Sequence, residues 1–194
     1  MTRHGDVRQK ILDAAEQRLW HYGFKKTTID EIASDAGVGK GTVYLYFEGK
    51  EEIGLAIISE YKKRGLQKVE AIARDPQKSP ADKLTAMLQY PVLHACDSCR
   101  ESPAMQEMIV AIKPHIRRHV QPQQEQEYRL LADVLDEGNR LGVFDVPDTL
   151  SAARTLKTMT LGLLPPYPYF LGNDEIAAEI ADMVTLTVRG LRKI

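Results

Sequence analysis

Several things are scarce in this chain, and each shortage removes a class of protein. It holds only two cysteines, Cys96 and Cys99, in 194 residues. Two thiols cannot build a disulfide framework, and nothing else suggests export. No apolar run approaches the ~20 residues that a membrane helix needs. The opening residues, Met1-Thr2-Arg3-His4-Gly5-Asp6, have no apolar segment behind their charges, so they do not read as a secretory signal. A cytoplasmic location is expected. A surplus of positive charge is also missing: 26 Lys and Arg face 27 Asp and Glu, for a net charge of −1. The broadly basic surface usual for nucleic-acid binding is thereby excluded, and any attraction to phosphate must be local. There is no Gly-rich phosphate loop, nucleophile elbow or His-Glu-x-x-His sequence. An enzyme is not expected, and neither is a cofactor. Strand patterns, internal repeats and low-complexity tracts are absent too.

What the chain does have is helical periodicity from end to end. Val7, Ile11, Ala14, Ala15, Leu19 and Tyr22 make a stripe over 6–22. Gly23 stops it, with Phe24 placed for a Schellman-type contact. Thr28-Ile29-Asp30-Glu31 is a capping box that opens a short helix ending at Gly37. After Val38 and Gly39, residues 40–47 form about two helical turns, with Val43 and Phe47 sharing one face. A longer helix is predicted over 51–74. Asp75-Pro76-Gln77-Lys78-Ser79-Pro80 is the clearest linker. Further helices are predicted over 81–95, 103–112, 115–141, 148–164 and 174–192, and Pro165-Pro166-Tyr167-Pro168 is a local rigid break. The fold class is all-α: an N-terminal three-helix head with a helix-turn-helix, then a C-terminal helical bundle, about nine helices in all.

The helix at 40–47 is too short, and too polar at its start, to be made for burial. A rigidly held helix of this kind is what the major groove of DNA admits. Lys40 and Lys50 are cations suited to phosphate. Thr27, Thr28 and Thr42 offer hydroxyls near helix N-termini, whose free N–H groups also attract phosphate. Gly41 lets the backbone come close, and Leu45 is suited to a thymine methyl group. Lys25 and Lys26 either meet phosphate or form a solvated pair that stabilises the end of the first helix.

Thr27-Thr28-Ile29-x-x-Ile32-Ala33, then Ala36-Gly37-Val38-Gly39-Lys40-Gly41-Thr42-Val43-Tyr44-Leu45-Tyr46-Phe47, then Lys50-Glu51-Glu52 together resemble the tetracycline-repressor (TetR) family of bacterial transcription regulators. The likeness covers about residues 6 to 60. Gly39 departs from it, since many members have serine there; glycine is an acceptable but weaker N-cap. The resemblance implies a homodimer with two DNA-reading heads, a pseudo-palindromic operator, and repression released by a small apolar or amphipathic inducer. It implies that Tyr44 faces base edges or backbone and that Tyr46 meets phosphate through its hydroxyl. It assigns 6–50 to the DNA-binding head, 51–74 to a connecting helix, and 75–194 to ligand binding and dimerisation. Dimerisation would use the last two helices, with stripes Leu150, Ala153, Leu156, Met159, Leu161, Leu164 and Ile176, Ile180, Met183, Val184, Leu186, Val188, Leu191; the same stripes also suit an intramolecular core. The inducer pocket would be lined by Met87, Tyr90, Pro91, His94, Met105, Met108, Ile109, Tyr128 and Met159, although at helical spacing the same residues also suit ordinary core.

One pattern competes with this reading. Cys96-x-x-Cys99, followed by His115-x-x-x-His119, formally fits a two-Cys, two-His zinc spacing. A helix across 103–112 would span ~15 Å and hold the thiols away from the imidazoles, whereas zinc bonds are only ~2.0–2.3 Å long. The expectation is therefore no metal, with the thiols at a loop and the histidines on a solvated helix face. A metal- or redox-sensing regulator using Cys96 and Cys99 is the alternative function.

Overall fold

A computed structural model describes residues 3–165 and 171–190. Among these residues there are eight α-helices, one 3₁₀ turn and no strand. The helices are α1 (Arg3–Tyr22), α2 (Ile29–Asp35), α3 (Lys40–Tyr44), α4 (Lys50–Ala73), α5 (Pro80–Glu101), α6 (Pro103–Arg140), α7 (Thr149–Met159) and α8 (Asn173–Gly190); the 3₁₀ turn is Thr160–Leu163. Part of the expected proline break, 166–168, and Leu191 of the last stripe lie outside the described residues.

Two helices run further than their sequences suggest. Residues 103–112 and 115–141 are not separate: α6 passes through Pro114 and Pro122 without ending. A proline removes one backbone bond and costs about 3 kcal/mol. Here the apolar period continues across the first proline through Met108, Ile112, Ile116 and Val120, all of which join one core. Burial of that face outweighs the lost bond. In the same way α5 continues through Pro91 to Glu101, so Cys96 and Cys99 lie inside a helix and are buried, rather than at a loop.

The chain folds into two compact units, and their boundary does not follow the 75–80 linker. The first comprises residues 1–62 and 98–121; the second comprises 63–97 and 122–194. In the first, Ile11, Leu19, Phe24, Ile32, Val43, Phe47, Ile53, Met108 and Ile112 share one core. Gly54 of α4 allows a close crossing: a Cβ there would lie 3.2 Å from Ile112 and 3.4 Å from Met108 and Phe24.

The second unit is built on Leu84, Met87, Leu88, Val92, Leu131, Leu135, Phe144, Leu156, Ile176, Ile180 and Val184. The end of α6 is fixed by Gly142 at φ 68° and by a bond of 2.9 Å from the Val143 N–H to the Gly138 carbonyl. Phe144 folds back over Gly138 so closely that a Cβ there would stand 2.0 Å from its ring. Two buried lysines are paired: Lys83 with Glu137 at 2.7 Å and Lys157 with Glu127 at 2.5 Å. The two stripes of the last helices divide. Ala153, Leu156, Ile176, Ile180, Val184 and Val188 enter this core, while Leu150, Met159, Leu161 and Leu186 are exposed.

Candidate nucleic-acid interface

The geometry of the head begins with its caps. Thr28 accepts from the Glu31 N–H at 3.3 Å, and the Glu31 carboxylate accepts from the Thr28 N–H at 2.9 Å, so the expected capping box is formed. These bonds hold the Glu31 carboxyl below its ordinary pKa: the Thr28 backbone bond contributes most, then the Thr28 hydroxyl, with Arg18 adding attraction. Arg18 of α1 also pairs with Glu31 at 3.3 Å and Asp35 at 2.7 Å, bracing α2 at both ends. Sequence reasoning missed this brace; an arginine at the polar edge of an apolar stripe was its only sign.

Between α2 and α3 the chain reverses at Gly37, whose φ of 67° suits glycine. Gly39 takes the N-cap position of α3 with extended backbone and no side-chain bond, and its carbonyl accepts from the Thr42 N–H at 2.9 Å. Val43 and Phe47 anchor α3 in the core, as their spacing predicts. The opposite side is open. Leu45 is 82% exposed and Tyr44 51% exposed, and a Cβ on Gly41 would meet nothing within 4 Å. Leaving Leu45 in water forgoes the ~1.5–3 kcal/mol that burial gives a leucine. No packing within this unit accounts for its presence there.

The candidate contacts occupy different environments. Thr28, Lys40 and Lys26 are exposed and Thr42 is half-buried. Lys40 pairs with Asp30 at 2.8 Å, and that hydrogen bond and charge raise its pKa. Tyr46 is half-buried against the core. Two residues are committed internally. Thr27 is 1% exposed, and its hydroxyl donates to the Gly23 carbonyl at 2.9 Å. Lys50 donates to the Phe24 carbonyl at 2.5 Å and the Thr27 carbonyl at 2.8 Å, and lies over the Phe24 ring. Both therefore lock the α1–α2 connection, which is how the structure uses their donors. Lys25, beside them, pairs with Glu107 of α6 at 3.9 Å.

A short exposed helix held against a capped partner is a helix-turn-helix. The same stretch matches the family profile described as "Bacterial regulatory proteins, tetR family" over residues 11–57, and a second profile, "Tetracyclin repressor-like, C-terminal domain", covers 77–165. The chain belongs to the TetR family. Among curated TetR relatives, the HTH-type transcriptional regulator YhgD of Bacillus subtilis is 40% identical over 65 residues, which is 34% of this chain and 34% of that protein. The match thus spans about a third of that relative. Solved structures extend the likeness of fold over the full length. A transcriptional regulator from Cytophaga hutchinsonii has a TM-score of 0.73 at 20% identity, covering 96% of this chain and 98% of its own. The regulator FadR from Bacillus subtilis, solved with stearoyl-CoA, has a TM-score of 0.62 at 20% identity, with 95% and 100% coverage.

The residues of the expected pocket fall in both compact units. Met105, Met108 and Ile109 belong to the first unit; Met87, Tyr90, Pro91, His94, Tyr128 and Met159 belong to the second. Met87 and Met108 are fully buried core, and Met159 is 47% exposed. In the second unit Tyr90 and His94 stack with ring centroids 5.4 Å apart. Burial raises the pKa of the Tyr90 and Tyr128 hydroxyls, so both stay protonated donors at neutral pH. Of the zinc-like pattern, Cys96 and Cys99 are buried on α5, while His115 and His119 are exposed on α6. Among the described residues no cluster of three His, Cys, Asp or Glu side chains is placed to hold a metal. No helix among them is long and apolar enough to cross a membrane.

Proposed function

We propose that this regulator is a cytoplasmic repressor that binds a pseudo-palindromic operator as a homodimer and is released by a small apolar or amphipathic ligand. The observation that carries the DNA-binding part is the open edge of α3, with Leu45 and Tyr44 in water and Val43 and Phe47 locked beneath. Leu45 and Tyr44 would read base edges. Lys40, Lys26, Thr28, Thr42 and the α3 N-terminus would hold phosphate, with Gly41 admitting the backbone. Tyr46 would reach phosphate from the rim. Thr27 and Lys50 act by fixing the connection behind α2.

Dimerisation is assigned to α7, the 3₁₀ turn after it and α8, because they keep Leu150, Met159, Leu161 and Leu186 exposed beside a filled core. Ligand binding is assigned to the second unit, around the Tyr90–His94 stack and Tyr128. The stearoyl-CoA held by FadR supports the ligand class. A ligand releases DNA only through its differential affinity for the two conformations. Footprinting on the DNA upstream of the protein's own coding sequence, repeated with a panel of fatty acids and acyl thioesters, tests this. Protection that disappears with one compound supports the reading. Protection unmoved by every compound, with none of them bound in calorimetry, contradicts the inducer half.

A further inference from the structure

The head's own segment is a poor polyanion binder. Residues 1–62 carry nine Lys or Arg against ten Asp or Glu, whereas 98–121, in the same unit, carry four against two. From Met108 to Gln124 there is no carboxylate at all. Within that run Lys113, His115, Arg117, Arg118 and His119 are all exposed. Among the described residues, Lys113, Arg117 and Arg118 make no ion pair, unlike Lys40, Lys25 and Arg18 of the head. Lys113 and Arg117 are four residues apart on the helix surface with Arg118 next to them, and like charges so placed repel one another unless an external anion meets them.

Their place in the fold says which anion. The apolar side of this segment, Ile112, Ile116 and Val120, is part of the core that anchors α3. Its polar side forms one wall of a groove of about 920 Å³, whose other wall is Glu48, Glu51 and Glu52, the residues that follow α3. Glu52 accepts from the Glu48 N–H at 2.5 Å, so this acidic wall caps the start of α4. A small anion inside the groove would face those carboxylates. Lys113 is exposed and does not line the groove, so an anion that meets all three cations has to extend beyond it.

We propose that the Lys113–His119 stretch of α6 is a second contact with the phosphate backbone of duplex DNA, beside the one made by α3. It rests on the reading of this unit as a DNA-binding head. Arg117 and Arg118 each engage a phosphate and Lys113 adds charge, with no reading of sequence. The contact supplies the attraction that the head's near-neutral charge does not.

The test measures binding of the full-length protein to a random-sequence duplex of three helical turns, by fluorescence anisotropy over a range of salt. The variants are R117Q/R118Q and R117K/R118K. Each phosphate contact contributes about 0.9 to the slope of log K against log salt, so the glutamine pair should flatten the slope by roughly two for each protomer bound. The lysine pair should keep the wild-type slope. An unchanged slope in the glutamine pair, with wild type binding normally, overturns this proposal and leaves the head reading intact. A lysine pair that behaves like the glutamine pair also overturns it, since charge is then not the cause. If wild-type protein shows no salt-dependent DNA binding, the head reading itself fails.

Discussion

At the scale of single residues, exposure and partnership separate reading from support. Leu45 touches little of its own protein, so Leu45→Ala should change stability by no more than about 0.5 kcal/mol. The same change should weaken operator binding by about 1–2 kcal/mol, the apolar burial lost, if Leu45 meets a thymine methyl group. Thermal melts and anisotropy on one preparation check both halves. On the proposed reading Lys40 meets phosphate. Lys40→Ala should weaken all duplex sequences alike and reduce the salt slope by about one for each protomer bound, and a loss confined to one base position would contradict that role. Thr28 and Glu31 carry a pH signature. Because the folded Glu31 carboxyl sits below its ordinary value, the capping it provides is fully present above that value and fades as pH falls through the lowered one. Thr28→Ala should cost about 1 kcal/mol at neutral pH, and the loss should shrink in acid, as urea melts at several pH values would show.

At the scale of elements, legibility followed how local the signal was. The capping box, the Gly37 turn, and Val43 with Phe47 are short-range patterns with a fixed physical meaning, and α2 and α3 were readable from them. The breaks placed at Pro114 and after residue 95 were not real ends. A proline's local penalty is visible in sequence, but the burial of Met108, Ile112 and Ile116 that overrides it is a tertiary fact. For the same reason Thr27 and Lys50 read as phosphate donors, although the fold spends their protons on carbonyls of the α1–α2 connection. The Gly138–Phe144 contact was equally hidden, since nothing in the sequence says a ring will return across that glycine. It gives an element-scale prediction. Gly138→Ala should destabilise by about 1–3 kcal/mol through overpacking, despite alanine's better helix propensity. A stabilised or unchanged melt would show that the ring moves aside freely.

For the whole molecule, the division into two units is the feature least visible in the sequence. Helical periodicity marks which residues turn inward, not which core they enter, so Met87 and Met108 looked alike and belong to different ones. The 75–80 linker lies just before the second family profile, which begins at residue 77, while α6 contributes its first half to the first compact unit and its second half to the second. The exposed apolar residues on α7 and α8 predict association. Leu186, 69% exposed on α8, should be dispensable for folding yet needed for pairing. Leu186→Glu should shift sedimentation from dimer toward monomer with a helical spectrum unchanged, and a wild-type protein that is monomeric at all concentrations would contradict the assignment.

The central claim is that the open edge of α3 enters a major groove. Dimethyl sulfate footprinting reports on guanine N7, which faces that groove, and so tests the claim directly on the upstream DNA. The account predicts two protected patches about one helical turn (~34–36 Å) or a multiple apart, both abolished by Leu45→Asp in a protein that still folds. Guanine N7 atoms left fully reactive under bound protein, or protection that survives Leu45→Asp, would contradict it.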